Sequence, residues 1–189
     1  MSCNYDYWYF DSLFSKEQII NLNNYIEQNN DGFENKDNGA KYSDGSFKKN
    51  TIVNIIKYSK IKSLMEYQLN LIYETAQQQF GYIFFNNNEN EHLLFNKYSS
   101  ENLATYDFHT DLSKSDIYDI KLTFIANMST EKYEGGKFYL FNNDVYEVKE
   151  LNNPGSAIIF KSHINHKVSP VTMGERKSLA YFMKGPKFR

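Results

Sequence analysis

The first segment with a clear hydrophobic pattern is residues 15–29. Ile19, Leu22 and Ile26 recur there at intervals of three and four, which places them on one face of a helix. Ser15 stands where an N-cap serine would begin such a helix, because its hydroxyl can accept a hydrogen bond from the first turn. The pattern predicts a short amphipathic helix.

A second helix is predicted over residues 58–80, where the same spacing runs for longer and stops at Gly81. Residues 30–50, between the two helices, are polar and contain several glycines. We therefore expect a long loop there. Loops of this length in compact domains often act as lids, so this one is a candidate clamp over a substrate.

After Gly81 the pattern changes to short alternating or apolar runs separated by turn residues. The runs are YIFF, HLLFNKY, LATYDFH, YDIKLTFIANM, KFYLF, VYEVKEL, SAIIF, HKVSPV and SLAYFM. Eight or nine strands at this spacing are typical of a β-sandwich or barrel. Hairpin turns are predicted at 86–91, 134–136 and 141–145.

The fold class follows from these elements and from the length of 189 residues, which suits one domain. We expect a mainly β protein with helical support (α+β), in which two N-terminal helices pack on one sheet of a jelly roll. The single domain would span 1–189, with helical support over 1–81 and the jelly-roll core over 82–185.

Composition narrows the function classes. With 21 basic and 23 acidic residues the net charge is −2, and the charges are interspersed, which argues against generic nucleic-acid binding. The first ten residues lack the pattern of a signal peptide, and no stretch is long and apolar enough to span a membrane. Cys3 is the only cysteine, so no internal disulfide can form. A cytoplasmic location is expected.

Arginine is rare in this chain, which uses lysine for nearly all its positive charge. Arg176 and Arg189 are the only two arginines. An arginine retained at position 176 against this background indicates that its planar, forked geometry is needed there.

A candidate metal site begins in the stretch LATYDFHTD. Strict alternation along a strand would turn Thr105, Asp107, His109 and Asp111 to one face and Tyr106 to the other. Two histidines and one carboxylate with open positions are the ligand set of non-haem Fe(II) oxygenases. An H-x-D pattern alone is weak, since a histidine at a strand end near an aspartate needs no metal.

The third ligand and a co-substrate residue are candidates further along the chain. His166 lies 55 residues after Asp111, and Arg176 lies ten after His166. A strand and its return partner would put these two at opposite ends of one pocket. An arginine there can pair bidentately with the distal carboxylate of a dicarboxylic acid whose other end chelates the metal, as 2-oxoglutarate does.

At this point the sequence resembles a family. YDFHTD, YEGGKFYLF and GSAIIFKSHINHKVSPVTMGERKSLAYFM are similar to the prolyl 4-hydroxylase-like Fe(II)/2-oxoglutarate oxygenases, most closely the PKHD-type hydroxylases, over about residues 92–184. The resemblance implies a double-stranded β-helix (cupin-like jelly roll), iron held by His109, Asp111 and His166, and 2-oxoglutarate held by Arg176. It implies O₂ as the second co-substrate, and ascorbate is an optional addition because it often supports relatives.

Other positions follow from the resemblance or from alternation. Tyr98 and Thr123 are candidates to contact 2-oxoglutarate. Thr123 and Asn127 could also contact the substrate, or simply satisfy the wall of the barrel. His163 faces away from His166 by strand alternation and is expected on the surface or behind the ligands. Tyr106 matches a family tyrosine three residues before the ligand histidine, although alternation turns it away and a core position explains it equally well. Gly135 and Gly136 are expected to allow positive φ at a tight turn.

The function implied is hydroxylation of an unactivated carbon, with succinate and CO₂ as co-products. The expected substrate is a prolyl residue in a protein or peptide, and the alternative is another amino-acid side chain or a small metabolite. Asp111 favours hydroxylation over halogenation, because halogenating relatives lack this carboxylate. Phe182, in place of a second arginine, disfavours nucleic-acid demethylation. A noncatalytic jelly-roll binding module is the rival from another class, and a structural zinc site is disfavoured by the absence of a fourth ligand.

Overall fold

A computed structural model describes residues 5–29, 32–34, 38–41, 47–49, 51–85, 91–113 and 115–188, with side chains described outside 32–49. Three α-helices lie in the N-terminal part: α1 (Lys16–Asn29), α2 (Tyr58–Ile61) and α3 (Glu66–Phe80). Within the described residues no helix has the length and apolar character needed to cross a membrane.

The predicted first helix is confirmed as α1, and its N-terminus carries a reciprocal cap. The Gln18 amide donates to the Ser15 hydroxyl at 3.2 Å, and the Ser15 amide donates to Gln18 Oε1 at 2.9 Å. The second predicted helix is interrupted, because a 3₁₀ turn at Lys62–Leu64 separates α2 from α3. Its predicted end is confirmed, since Gly81 caps α3 in the left-handed conformation with φ 67°.

Fifteen strands are described. They are β1 (Tyr7–Phe10), β2 (Gly32–Glu34), β3 (Asn38–Lys41), β4 (Phe47–Lys49), β5 (Thr51–Lys57), β6 (His92–Ser99), β7 (Thr105–His109), β8 (Asp119–Asn127), β9 (Glu134–Gly135), β10 (Phe138–Asn142), β11 (Asp144–Glu147), β12 (Ala157–Lys161), β13 (Asn165–Val168), β14 (Val171–Met173) and β15 (Glu175–Gly185).

Two antiparallel sheets form the jelly roll. The major sheet has the order β1-β12-β8-β15-β6-β5-β2, and the minor sheet has the order β11-β10-β13-β7-β4-β3. Strands β14 and β9 form a separate pair. Because strands adjacent in the sheets come from distant parts of the chain, residues far apart in sequence meet between the sheets.

The two faces of the major sheet serve different purposes. On β15, Leu179, Tyr181 and Met183 join the core under the helices, whereas the alternate residues Ala180 and Phe182 line a cavity inside the roll. The same alternation separates β6 and β8 into a helix face and a cavity face. This confirms the expectation of helices packed on one sheet of a jelly roll.

Several local predictions were wrong. The stretch 30–50 was expected to be a loop, yet it contains β2, β3 and β4, and the rest of it lies outside the described residues. The predicted strand YIFF (82–85) is not a strand in the structure. Strands β1 and β5 were not predicted, although TIVNIIK in β5 is rich in the β-branched residues that favour strands. The predicted turn at 86–91 is not tested, because residues 86–90 lie outside the described residues.

Candidate active site

Three potential metal ligands meet where the minor sheet faces the major sheet. His109 and His166 are direct partners in the β7–β13 ladder, and Asp111 follows two residues after His109. One donor atom from each residue lies within 4.8 Å of the other two. His166 Nε2 is 3.3 Å from Asp111 Oδ2, and His109 Nε2 is 3.7 Å from Asp111 Oδ1. Adjacent ligands on metal bonds of about 2.1 Å stand about 3 Å apart, so these atoms fit around one ion.

Hydrogen bonds to the backbone fix both imidazole rings. His109 Nδ1 lies 2.8 Å from the carbonyl oxygen of Asp107, and His166 Nδ1 lies 3.0 Å from that of Ile164. A carbonyl oxygen only accepts, so each Nδ1 carries a proton and each Nε2 is the ring nitrogen on the Asp111 side. Metal-binding histidines are typically oriented in this way. Both rings therefore direct Nε2 towards Asp111.

The Asp111 carboxylate is held in its ionised form. Burial raises its pKa, but the neighbouring His166 and His109 and a hydrogen bond from Thr123 lower it further, so that the pKa lies below its ordinary range. An ionised carboxylate is the form that binds metal. Asp111 thus presents the charge state that a divalent cation requires.

A buried cation lies at the other end of the site. Arg176 is 2% exposed, and its Nη1 donates to the Ser178 hydroxyl at 3.2 Å. Among the side chains that the structure describes, no carboxylate lies within ion-pair distance of Arg176. A buried charge without a counter-ion is costly, so this end of the site favours an anionic ligand.

Tyr98 borders the same end and stays protonated. Burial raises its pKa to about 12, against the opposing effect of nearby Arg176. The Arg176 guanidinium carbon lies 5.4 Å from the centre of the Tyr98 ring. The tyrosine therefore offers a neutral hydroxyl beside a fixed positive charge.

One cavity of about 200 Å³ joins the two ends. Its polar lining comprises His109, Asp111, His166, Thr123, Tyr98, Arg176, Ser178 and Asn96, and Tyr106 lies beside the histidines. Its apolar lining comprises Val53, Leu94, Ile125, Phe138, Val168, Ala180 and Phe182. The arrangement suits a small ligand with one end at the triad and an anionic group at Arg176.

The prediction that Tyr106 faces away from His109 was wrong. The β7–β13 ladder pairs His109 with His166 and Tyr106 with Val168, so three steps along β7 match two along β13. This β-bulge moves Tyr106 to the ligand side of the strand. The rings of Tyr106 and His109 stack with centroids 3.6 Å apart and 18° between their planes. Asp107, which was expected on the ligand face, is exposed instead.

The remaining candidates occupy different surroundings. Tyr98 and Thr123 both line the cavity, and the Thr123 hydroxyl donates to Asp111 Oδ2 at 2.8 Å. Asn127 does not line the cavity, and its amide donates to the Leu151 carbonyl at 3.0 Å. His163 is exposed and borders a separate surface groove.

The glycine pair of the E-G-G turn makes room for the site. Gly136 has φ 58°, and a Cβ atom there would lie 2.9 Å from both Arg176 Cδ and Val171 Cγ2. Gly135 has φ 72°, and its Cβ would lie 2.1 Å from the Pro170 carbonyl oxygen. Both positions therefore require glycine, and at position 136 a larger residue would press on the side chain of Arg176.

Three cavity or supporting residues were missed from the sequence: Ser162, Ser178 and Asn96. Period-two alternation from Arg176 along β15 would have indicated Ser178, and the β15–β6 register then places Asn96 opposite it. Ser162 carried no comparable signal, because its role depends on contacts across three strands.

Comparison with known proteins supports the family resemblance. The family model of the 2OG-Fe(II) oxygenase superfamily matches residues 93–184, the stretch that contains the triad and Arg176. The match covers 92 of the 189 residues, just under half of the chain, so the chain is similar to this superfamily over that stretch. A PKHD-type hydroxylase of Alteromonas mediterranea is 36% identical to it over 89 residues, which are 43% of this chain and 38% of that protein. The match thus spans well under half of the relative's length.

Two solved structures resemble this chain over nearly its whole length. A prolyl-4-hydroxylase of Pseudomonas putida has a TM-score of 0.69 at 15% identity, with 97% of this chain and 95% of that chain covered. A viral collagen prolyl hydroxylase from Paramecium bursaria Chlorella virus-1, solved with 2-oxoglutarate, has a TM-score of 0.71 at 14% identity, with 97% and 98% covered. At these identities the likeness establishes a shared fold.

These findings confirm the family resemblance, the jelly-roll fold with helical support, and the predicted cofactor set of Fe(II), 2-oxoglutarate and O₂. The use of ascorbate stays a prediction.

Proposed function

We propose that this chain is an Fe(II)- and 2-oxoglutarate-dependent dioxygenase that hydroxylates an unactivated carbon. One observation carries the proposal: a His–Asp–His cluster and a buried arginine, which has no carboxylate partner among the described side chains, lie on the lining of the same cavity. The cluster supplies metal ligands, and the arginine supplies the charge that a dicarboxylate co-substrate needs.

Each group has a definite part in this scheme. His109, Asp111 and His166 would hold Fe(II), and Arg176 would hold the distal carboxylate of 2-oxoglutarate, with Tyr98 beside it. The bound Fe(II) and 2-oxoglutarate supply the oxidant from O₂, with succinate and CO₂ as co-products. The protein orients these groups, and its apolar cavity wall limits access of water. Because Asp111 occupies a ligand position, hydroxylation is the proposed outcome.

The proposed substrate is a prolyl residue in a protein or peptide. Support comes from relatives whose names describe prolyl hydroxylation and, for the viral enzyme, action on collagen. The cavity lining agrees with an uncharged target. Apart from the two histidines, its charged residues among those described are Arg176 and Asp111, which the co-substrate and metal would use. Another neutral amino-acid side chain or a small metabolite is the alternative.

We further propose that the chain acts as one dioxygenase domain on a peptide or protein partner. A reducing compartment such as the cytoplasm suits it, because Cys3 has no second cysteine to pair with.

The first test is an anaerobic titration of the apo-protein with Fe(II) and 2-oxoglutarate, monitored through the visible metal-to-ligand charge-transfer band. We expect a band in the wild type, its loss in His166→Ala, and a much higher 2-oxoglutarate requirement in Arg176→Ala. His163→Ala is the matched control, because this exposed histidine should leave the band unchanged. Absence of a band from folded wild-type protein would reject the dioxygenase and favour a noncatalytic binding module.

Once binding is established, a screen of prolyl peptides with detection of succinate and of a mass gain of one oxygen atom tests the substrate. Turnover of small metabolites without peptide turnover would replace the prolyl assignment by the alternative.

A further inference from the structure

Two buried hydroxyl groups stand behind the Asp111 carboxylate. Thr123 Oγ1 lies 2.8 Å from Asp111 Oδ2, and Ser162 Oγ lies 3.0 Å from Thr123 Oγ1. Thr123 is 1% exposed and Ser162 is fully buried. Water therefore does not compete readily for these hydrogen bonds.

The proton count gives this chain of hydrogen bonds a direction. A carboxylate can only accept, so the single proton of the Thr123 hydroxyl points to Asp111. Thr123 then has only lone pairs left for Ser162, which must donate. The resulting order is Ser162 to Thr123 to Asp111, and hydrogen bonds aligned in one direction strengthen one another.

The backbone of Ser162 provides a second attachment. The Asp111 amide donates to the Ser162 carbonyl at 2.9 Å, and the Ser162 amide donates to the Lys121 carbonyl at 3.2 Å. Asp111 lies beyond the end of β7 and outside any strand. Its position is therefore set largely by β8 and by the turn after β12, which present Thr123 and Ser162.

We propose that Thr123 and Ser162 are positioning residues that orient the Asp111 carboxylate for the metal. The inference rests on the proposed function, because it concerns the same metal. It differs from the sequence-based expectation that Thr123 contacts 2-oxoglutarate. Residues behind a metal ligand fix its orientation, and their loss typically weakens metal binding by about 10- to 100-fold.

The test is equilibrium binding of Co(II) or Fe(II) to the apo-protein without 2-oxoglutarate, with the Co(II) absorption spectrum as a measure of coordination. Thr123→Val keeps the shape but removes the donor, and we expect metal affinity to fall roughly 10- to 100-fold with an altered Co(II) spectrum. Thr123→Ser restores a hydroxyl, so its metal affinity should stay within about threefold of the wild-type value. Thr105→Val is the matched control, since the Thr105 hydroxyl donates to the Val168 carbonyl at 2.7 Å and not to Asp111.

A second variant tests the order of the chain. Ser162→Ala should weaken metal binding less than Thr123→Val does, and it should add almost nothing in the Thr123→Val background, because Ser162 acts through Thr123. If the two substitutions lowered metal affinity independently and additively, Ser162 would not act through Thr123 and the proposed order would be rejected. Should Ser162→Ala fail to fold, the comparison of Thr123→Val with Thr123→Ser still decides.

The possible failures can be told apart. Wild-type metal affinity and spectrum in Thr123→Val would reject this inference and leave the proposed dioxygenase intact. Failure of folded wild-type protein to bind either metal would reject the proposed function itself, and the positioning role with it.

Discussion

Arg176 and Tyr98 are direct partners in the β15–β6 ladder, and both side chains line the cavity. Because Tyr98 stays protonated and Ser178 only shares a hydrogen bond, neither neutralises the guanidinium charge. The described part of the chain supplies no carboxylate partner for it. The free-energy cost of burying this charge should therefore be lower when an anionic ligand is bound.

Arg176→Met tests two effects of the buried guanidinium charge: destabilisation of the ligand-free protein and binding of 2-oxoglutarate. Without ligand, the variant should gain about 1–2 kcal/mol in free energy of unfolding, because an uncompensated buried charge is replaced by an apolar chain of similar length. Added 2-oxoglutarate, with Fe(II) present under anaerobic conditions, should raise the melting temperature of the wild type and leave that of the variant unchanged. Urea unfolding and thermal melting measure the two effects. A ligand-free variant that is less stable than wild type would mean that the charge is already compensated.

Gly136→Ala tests whether the glycine turn makes room for Arg176. The new Cβ would strain a backbone with φ 58° and press on Arg176 Cδ. Gly81→Ala is the matched control, because Gly81 has φ 67° but a Cβ there would meet no atom of the described residues within 4 Å. Both variants should lose about 1–2 kcal/mol of stability from the backbone alone. Only Gly136→Ala should also weaken 2-oxoglutarate binding, measured by titration of the charge-transfer band. Equal 2-oxoglutarate affinities in the two variants would contradict this role.

Tyr106→Ala tests the ring that stacks on His109. Loss of the stacked ring should weaken metal binding by roughly 2- to 10-fold, since aromatic pairs contribute about 0.5–1.5 kcal/mol. Tyr106→Phe keeps the ring and should bind metal as wild type does. Co(II) titration of both apo-proteins gives the comparison. A large loss in Tyr106→Phe would show that the hydroxyl, rather than the ring, is what matters.

The candidate site was largely predictable because its residue types are scarce in this chain. With four histidines and two arginines in the sequence, the H-x-D pattern, His166 and Arg176 left few other combinations. The alternation of β15 was also readable, since a long strand buried on both faces keeps its period of two. These signals are local or depend on spacing, which the sequence carries directly.

What the sequence did not supply depends on pairing between distant strands. The bulge beside Tyr106 arises from the register of β7 against β13, and no local pattern records it. The hydrogen bonds from Ser162 to Thr123 and from Thr123 to Asp111 likewise form only because β8, the turn after β12 and the loop after β7 meet. The predicted strand YIFF (82–85) was wrong for a related reason. The Phe85 amide donates to the Lys184 carbonyl at 2.9 Å, but the segment does not pair further with a neighbouring strand.

The last prediction concerns an ion-pair group that fastens α1 to the major sheet. Lys97 and Lys177 are cross-strand partners of like charge, and Glu27 of α1 lies 3.5 Å and 3.2 Å from their ammonium groups. Partial burial raises the pKa of Glu27, but the two lysines lower it more, so the pKa lies below its ordinary value of 4.5. The carboxylate thus offsets a repulsion that the sheet register imposes.

Glu27→Gln should lower the free energy of unfolding at neutral pH by up to about 1 kcal/mol, a modest value because the site is partly exposed. Since the folded pKa of Glu27 is lowered, its contribution is complete above 4.5 and disappears as the pH falls through the folded value. The difference in free energy of unfolding between wild type and variant should therefore disappear in acid, and it should also shrink in high salt. Urea unfolding across this pH range measures it, with Glu74→Gln on the exposed face of α3 as the matched substitution away from the two lysines. A difference that stays constant into acid would assign the effect to helix packing rather than to charge.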